Sequence, residues 1–564
     1  MNAVRFSYCL STYHDAVISA LNNLSQNDII TRIWAKDYTV WKPAPDEIVN
    51  RLGWLDTPAE MLPQISNIHA NLDPLISDGI KDVVLLGMGG SSLAAEVFSE
   101  IFGSSPGYPR MHVLDTTDPA KIAKTSQTLE PSETLFLVSS KSGSTLEVTS
   151  LFQYFFNLVS KKLGYAAGSR FILITDQGSP MIKTAQELSL RHTFLNNPAI
   201  GGRFSALSLP GIVPAAIIGI DVERLLQNAV SATQKEKIKN VSGNLDSTGV
   251  TLGATLGVLA KMGRDKLTLI MPESIASFGI WLEQLIAEST GKEGKGILPI
   301  TGERLSEPGN YDKDRVFVIF SNEAEDNFQK IASLVAAGHP VISIEINDIY
   351  ELGAQMYTWE MATAVAAHVL KINPFDQPDV EATKNHTRRI IAQYREKKVL
   401  PLSKPSLATD SCNVYGNSNG ATIAEIMKNF LGKAQALDYV CLQVYLNPSS
   451  EIDEVLRKLR ETIFAKYKLS VTIGYGPRYL HSTGQLHKGD SGNGLFIQLT
   501  AENLIDVDIP DNFGTENSTL TFGTLKAAQA EGDWQALIDA KRRVIRFHFI
   551  TNPTANIMNI TELL

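Results

Sequence analysis

Cysteine is scarce in this sequence: Cys9, Cys412 and Cys441 are the three among 564 residues. None forms a Cys-x-x-Cys pair, and three cannot staple a chain of this size. A disulfide scaffold is excluded and a reducing compartment is expected. Long apolar runs are lacking as well. The longest, residues 213–220, falls far short of the ~20 residues of a membrane-crossing helix. The stretch from Met1 to Leu10 has neither the basic start nor the apolar run of a signal peptide. These absences lead to the expectation of a soluble cytoplasmic protein that contacts no membrane. Positive charge is not in excess: 51 Lys and Arg against 60 Asp and Glu give a net charge of −9. A general nucleic-acid binder is expected to be basic, although a local basic pocket for a small anion stays open. There is no His-Glu-x-x-His, and the spacing of His481 and His487 suits one helical face poorly, so no metal centre is expected.

What is present is a globular composition, 44% hydrophobic and 20% charged. The length suffices for roughly three to four domains. Residues 1–75 read as helical, with Trp34, Trp41 and Trp54 packing as a cap on the next unit. The texture then changes. Short apolar runs, each ended by Gly, Ser or Asp, alternate with amphipathic segments: Val83 to Leu86, Leu135 to Val138 and Phe171 to Ile174. A second series holds Leu267 to Met271, Val316 to Phe320 and Val341 to Ile344, after an Asn/Gly/Ser-rich boundary near 240–248. Such alternation means βαβ units around buried parallel sheets. The expected division is a first α/β module at 76–240 and a second at 248–400. A linker near 400–420 then precedes a smaller α+β domain at 421–564. That last part shows strands at 439–445, 470–473 and 544–549 and a charged helix from Glu451.

In open parallel sheets the ligand lies beyond the carboxyl ends of the strands. The first strand runs into Gly87-Met88-Gly89-Gly90-Ser91-Ser92. Its sixth position is Ser92, so this is not the dinucleotide fingerprint, yet glycines let a ligand approach the backbone. The second runs into Ser139-Ser140-Lys141-Ser142-Gly143-Ser144-Thr145, ahead of Leu-Glu-Val. Hydroxyls, a lysine and a helix start make a phosphate cradle. The third, from Thr175 to Pro180, says little alone.

Five spaced motifs now give a resemblance. Gly89-Gly90-Ser91, Ser140 to Thr145, Gly201-Gly202-Arg203-Phe204-Ser205, Glu288-Ser289-Thr290-Gly291-Lys292 and Phe375 to Lys384 resemble, in order, motifs of the glucose-6-phosphate isomerase family. The tail, Gly474 to Gln485, is similar to the isomerase part of fused transaldolase/glucose-6-phosphate isomerase proteins, although no transaldolase portion is recognised. The resemblance implies two sugar-isomerase (SIS-type) modules. It implies reversible conversion of glucose 6-phosphate to fructose 6-phosphate without metal or organic cofactor. It assigns Ser140, Lys141, Ser142 and Thr145 to the phosphate loop, Gly90 and Ser91 to sugar contacts, and Gln377 to substrate binding. Glu288 becomes the base, Arg203 the guanidinium beside the intermediate, and Lys384 the lysine near the ring oxygen.

The chemistry asks for those residue types independently. Moving hydrogen between C1 and C2 needs a carboxylate shielded from water, and the enediolate between the steps favours a permanent guanidinium charge. One element is out of place. The family's ring-opening histidine lies between glutamate and lysine, where this chain has only His339, before Pro340 at a turn, and His368, in an Ala-rich helix. Leu480-His481-Ser482-Thr483-Gly484-Gln485 resembles the run around that histidine, so His481 is expected to replace it, in cis or in trans. His386 and His487 stand in reserve, the latter read as a surface residue. Two alternatives remain. One is an isomerase that also takes mannose 6-phosphate, and the other is a phosphosugar sensor without catalysis. A homodimer and a transaldolase association also stay open.

Overall fold

The structure, a computed structural model, describes residues 5–237, 245–246, 248–321, 328–401, 403–417 and 419–564. Residues 1–4 and most of the boundary read near 240–248 lie outside the described residues.

The first described element is β1 (Arg5–Cys9), a strand where the sequence reading expected helix. Its alternation, with Phe6 and Tyr8 turned inward, is the period-2 pattern of an edge strand. Helical turns follow to residue 77, and Trp41 and Trp54 are buried. Trp41 Nε1 donates to the Ala364 carbonyl at 2.9 Å. Trp54 packs on Phe204 with ring centroids 5.2 Å apart. The segment thus fills the seam between what comes before and after the second sheet rather than capping one end.

A five-stranded parallel sheet follows: β2 (Asp82–Leu86), β3 (Arg110–Leu114), β4 (Thr134–Ser139), β5 (Phe171–Asp176) and β6 (His192–Asn196), in the order β3-β2-β4-β5-β6. The three central strands are buried throughout and match the apolar runs of the sequence. The edge strands β3 and β6 carry Arg110, His112 and His192, which disguises them. Helices α1 (Leu93–Phe102) and α2 (Leu146–Leu163) leave the carboxyl ends of β2 and β4.

The second sheet has the order β1-β10-β9-β7-β8, from β7 (Lys266–Ile270), β8 (Leu298–Ile300), β9 (Arg315–Ser321) and β10 (Val341–Glu345), with β1 antiparallel at its edge. Around it lie α3 (Phe278–Thr290), the almost wholly buried α4 (Leu352–Leu370), and α5 (Val380–Lys397).

The stretch read as a linker carries β11 (Leu407–Ala408) and β12 (Cys412–Gly416). These join β13 (Tyr439–Tyr445), β14 (Ser470–Tyr475), β15 (Gly494–Ala501) and, after the ribbon β16 (Asp508–Ile509) and β17 (Leu520–Thr521), β18 (Arg543–Phe549). The sheet order is β11-β12-β18-β15-β13-β14, parallel from β18 to β14. Helix α6 (Phe522–Asp539) precedes β18.

Helix α6 lies directly on α5. A Cβ at Gly532 would sit 2.4 Å from Thr387 Oγ1, so this crossing requires glycine. Ile390 and Ile391 of α5 and Phe522, Leu525 and Ala528 of α6 share one apolar cluster with Val84, Leu86, Phe136 and Val138 of the first sheet. The last part of the chain is therefore built into the core of the first. Among the described residues no helix is long and apolar enough to cross a membrane.

Candidate active site

A cleft of about 640 Å³ opens beyond the carboxyl ends of β2, β4 and β5, closed on its far side by α3, α5 and the carboxyl-terminal part. It is lined by Gly90, Ser91, Lys141, Ser142, Thr145, Arg203, Glu288, Gln377, Lys384 and His481. Ten of the eleven residues picked from the sequence therefore meet in one place.

Ser140 is the exception. It is 1% exposed, and its Oγ accepts the Gly143 N–H at 3.2 Å. Its carbonyl accepts the Thr175 hydroxyl at 2.6 Å. β4 ends at Ser139, and just beyond it this side chain turns back to prop the loop from beneath instead of facing the cleft. Above it, the Ser142 and Ser144 hydroxyls lie 2.9 Å apart. Thr145 is the N-cap of α2 but makes no side-chain capping bond. Its hydroxyl and the first-turn N–H groups of α2 together form an anion cradle. Lys141 ion-pairs with Asp176 and donates to the Pro198 carbonyl at 2.9 Å. Burial pushes the Asp176 carboxyl up, while the lysine pulls it back. The third loop, uninformative as sequence, thus fixes the lysine of the second.

Gly90 is required by contact. A Cβ there would stand 2.2 Å from the Gly202 carbonyl oxygen, so the Gly-Gly-Ser turn rests on the turn that carries Arg203. Arg203 is 5% exposed and spends every N–H. Nε donates to Ser289 Oγ at 2.9 Å, and Nη2 donates to the Pro374 and Asp376 carbonyls at 2.6 and 2.9 Å. Nη1 faces Gln377 Oε1 at 3.2 Å and Glu288 Oε1 at 3.1 Å. The backbone side of the guanidinium is anchored, and its remaining edge is turned to the cleft. Glu288, 6% exposed, receives a second donor from Gln284 Nε2 at 3.2 Å, one helical turn earlier on α3. Lys292 lies close behind, bonded to Asp376 Oδ1 at 2.7 Å. Burial, aided by repulsion from Arg203, pulls its ammonium down to about 8.

His481 reaches the cleft of its own chain from the 3-10 turn Arg478–His481. Arg478 anchors that turn to the first module through Glu96 at 2.6 Å and Asp115 at 2.7 Å. The His481 Nε2 lies 3.0 Å from Glu147 Oε1, and Nδ1 has no hydrogen-bond partner among the described residues. Burial drives the Glu147 carboxyl up, but the charge and hydrogen bond of His481 and the backbone N–H at the start of α2 outweigh it. The group sits below its ordinary value and is ionised. An ionised carboxylate only accepts, which puts the imidazole proton on Nε2 and turns Nδ1 to the cleft. Lys384, on α5, pairs with Glu381 at 2.7 Å at the same cleft wall.

The other histidines are engaged elsewhere. His339 faces Arg264 Nη1 at 3.2 Å, His368 Nδ1 lies 2.6 Å from the Val40 carbonyl, and His386 pairs with Asp539 at 2.8 Å. His487 is not on the surface. It is fully buried between the rings of Tyr479 and Phe496, where burial holds its imidazole far below the usual value. No group of three or more His, Cys, Asp or Glu suited to a metal ion occurs among the described residues.

Sequence reasoning passed over Glu147, Gln284, Ser144, Asp176 and Gln529, all of which line the cleft. Gln284 carried a signal, four residues before Glu288 on one helical face. Glu147 adjoined the phosphate motif. Gln529 carried none, since only folding brings α6 here.

Comparison with known proteins gives the family. A sequence model of the family described as phosphoglucose isomerase matches residues 71–298, short of Gln377, Lys384 and His481. A probable glucose-6-phosphate isomerase of Haloarcula marismortui is 30% identical over 364 residues, covering 57% of this chain and 80% of the relative. A glucose-6-phosphate isomerase of Mycoplasmopsis pulmonis is 29% identical over 387 residues, 60% of this chain and 90% of its own. The fold is similar to that of a glucose-6-phosphate isomerase from Chlamydia trachomatis, with TM-score 0.57 at 21% identity over 69% of this chain and 89% of that one. With a relative at 30% identity matched over 80% of its length, the chain belongs to the glucose-6-phosphate isomerase family.

Proposed function

We propose that this chain interconverts glucose 6-phosphate and fructose 6-phosphate, by ring opening followed by proton transfer between C2 and C1 through an enediolate. The observation that carries the reading is the buried pairing of Glu288 with Arg203 at 3.1 Å, in the same cleft as an anion cradle on α2.

The substrate phosphate sits on Ser142, Thr145 and the start of α2, with the charge of Lys141 beside it. Gly90 and Ser91 offer backbone and hydroxyl to the sugar, and Gln377 holds a sugar hydroxyl. Ring opening breaks the bond between C1 and the ring oxygen. That oxygen gains a proton while the anomeric hydroxyl loses one and becomes the carbonyl. His481, through Nδ1, and Lys384 serve the two ends of that exchange. Glu288 then takes the proton from C2 and returns it to C1. The negative charge that develops on the two oxygens meets the Nη1 edge of Arg203, a guanidinium already oriented by the bonds of Nε and Nη2. A preorganised donor of this kind contributes ~3–4 kcal/mol to the transition state, because nothing has to reorganise when the charge appears.

The same proposal divides the chain into an amino-terminal segment at 1–75, sugar-isomerase domains at 76–240 and 248–400, and a carboxyl-terminal domain at 421–564, to whose sheet β11 and β12 add strands from the stretch before it. Tail residues 474–485 support a closer affinity with fused transaldolase/isomerase proteins. A homodimer and a transaldolase association belong to that extension, and sedimentation and co-purification test them.

The test is fructose 6-phosphate conversion in a coupled assay with chelator present. Wild-type turnover should fall by about 10³-fold or more in Glu288→Gln while phosphosugar binding persists. Binding without turnover in the wild type would make the protein a sensor and overturn the reading.

A further inference from the structure

The carboxyl-terminal domain delivers more than His481. On α6, Gln529 is 3% exposed and lines the cleft. Its Nε2 donates to Glu147 Oε1 at 2.7 Å, the same oxygen that faces His481 Nε2 at 3.0 Å. Its Oε1 accepts the Thr117 hydroxyl at 2.8 Å, and Thr117 is fully buried. An amide can be turned two ways, but here both ends are determined. The ionised carboxylate demands the NH₂ end, and the threonine hydroxyl supplies the donor that the oxygen needs. One turn earlier, Lys526 bonds Asp118 Oδ2 at 2.8 Å, which pins α6 to the first module beside Thr117. One turn later, Asp533 accepts the Tyr479 hydroxyl at 2.6 Å, two residues before His481.

We propose that Gln529 is a positioning residue for ring opening: through its bond to Glu147 it fixes the carboxylate that orients His481, so that the carboxyl-terminal domain supplies the imidazole and sets its orientation. The inference rests on the isomerase reading above. The charged groups around Glu147 are His481 and, farther off, Lys384, and Gln529 is the neutral donor that shares its oxygen. Removing that donor frees the carboxylate to turn, and the imidazole loses the partner that orients it.

The experiment uses the full chain. Glucose 6-phosphate anomer exchange, which needs ring opening but not Glu288, is followed by magnetisation transfer in Glu288→Gln with and without Gln529→Met. Isomerisation of fructose 6-phosphate is measured in the Gln529→Met single variant, and affinity for an open-chain acyclic sugar-acid phosphate is measured in both backgrounds. Anomer exchange should fall by about tenfold. Affinity for the open-chain ligand should stay within about twofold, since its binding does not use the ring-opening pair. Thr117→Val, which frees the amide to turn, should lower anomer exchange by less. Unchanged anomer exchange, or open-chain affinity that falls in parallel with turnover, would overturn the role of Gln529. Absence of isomerisation in the wild type would instead overturn the reading beneath it.

Discussion

Arg203 has five N–H groups, and all five are directed: three into Ser289, Pro374 and Asp376, two toward Gln377 and Glu288. A lysine at this position supplies one point charge on a flexible stem and cannot hold those five acceptors. Arg203→Lys should therefore lower kcat by about 10²–10³-fold while KM changes little, because the lost interaction matures only with the enediolate. It should also lower the melting temperature, since the buried Pro374 carbonyl loses its donor. Steady-state kinetics with a thermal scan check both. The sequence made Arg203 and Glu288 legible only through their motifs, as neither stands out among 51 basic and 60 acidic residues. Ser140 shows the converse, since a motif position was legible but the direction of its side chain was not. Its side chain turns back to the Gly143 N–H just past the end of β4, a direction that no local pattern announces.

At the scale of elements, the apolar runs at 83–86, 135–138 and 171–174 appear where expected, as central strands buried on both faces. β1, β3, β6 and β8 were hidden because edges tolerate polar residues and short lengths. β15 was obscured by Gln498, a polar residue at the middle of a buried strand whose side chain is satisfied by the Ala530 carbonyl and Arg546. The crossing of α5 and α6 could not be read at all, because it depends on Gly532 meeting Thr387 across a distance of 145 positions in the chain. That contact has a cost if broken. Gly532→Val should push α5 outward at its Thr383–Thr387 turn, which also carries Lys384. A loss of about 2 kcal/mol or more is expected, with reduced turnover on ring-closed substrate. Chemical denaturation and kinetics on the same preparation test this together.

At the scale of the whole molecule, the seam between α3 and the turn bearing His481 is polar. Glu283 meets Ser482 there at 3.4 Å. Desolvation raises its carboxyl to about 7 from 4.5, and the Ser482 hydroxyl, Arg478 and Arg460 only partly oppose the rise. The folded chain holds a proton on Glu283 that the unfolded chain has released, so its contribution is full below 4.5 and is lost as pH rises through about 7. Relative to Glu283→Gln, the wild type should lose stability between these pH values, by on the order of 3 kcal/mol at most. Denaturant unfolding of both proteins at pH 5 and pH 8 measures it, and parallel stabilities at the two pH values would count against this account. The modular plan was legible because each parallel sheet repeats one sequence texture. The interlocking of the modules was not, since contacts such as Trp41 with Ala364 and Gln529 with Glu147 join residues that no local pattern connects.

The order in which these parts leave a ribosome gives that interlocking a temporal meaning. The anion cradle, Arg203 and Glu288 emerge first, while His481 and Gln529 follow on the order of ten seconds or more later at ordinary synthesis rates. On the isomerase reading, a nascent chain in that interval carries the proposed base and guanidinium without the proposed ring-opening histidine. Polypeptides released early would then be silent toward the cyclic sugar instead of partly active.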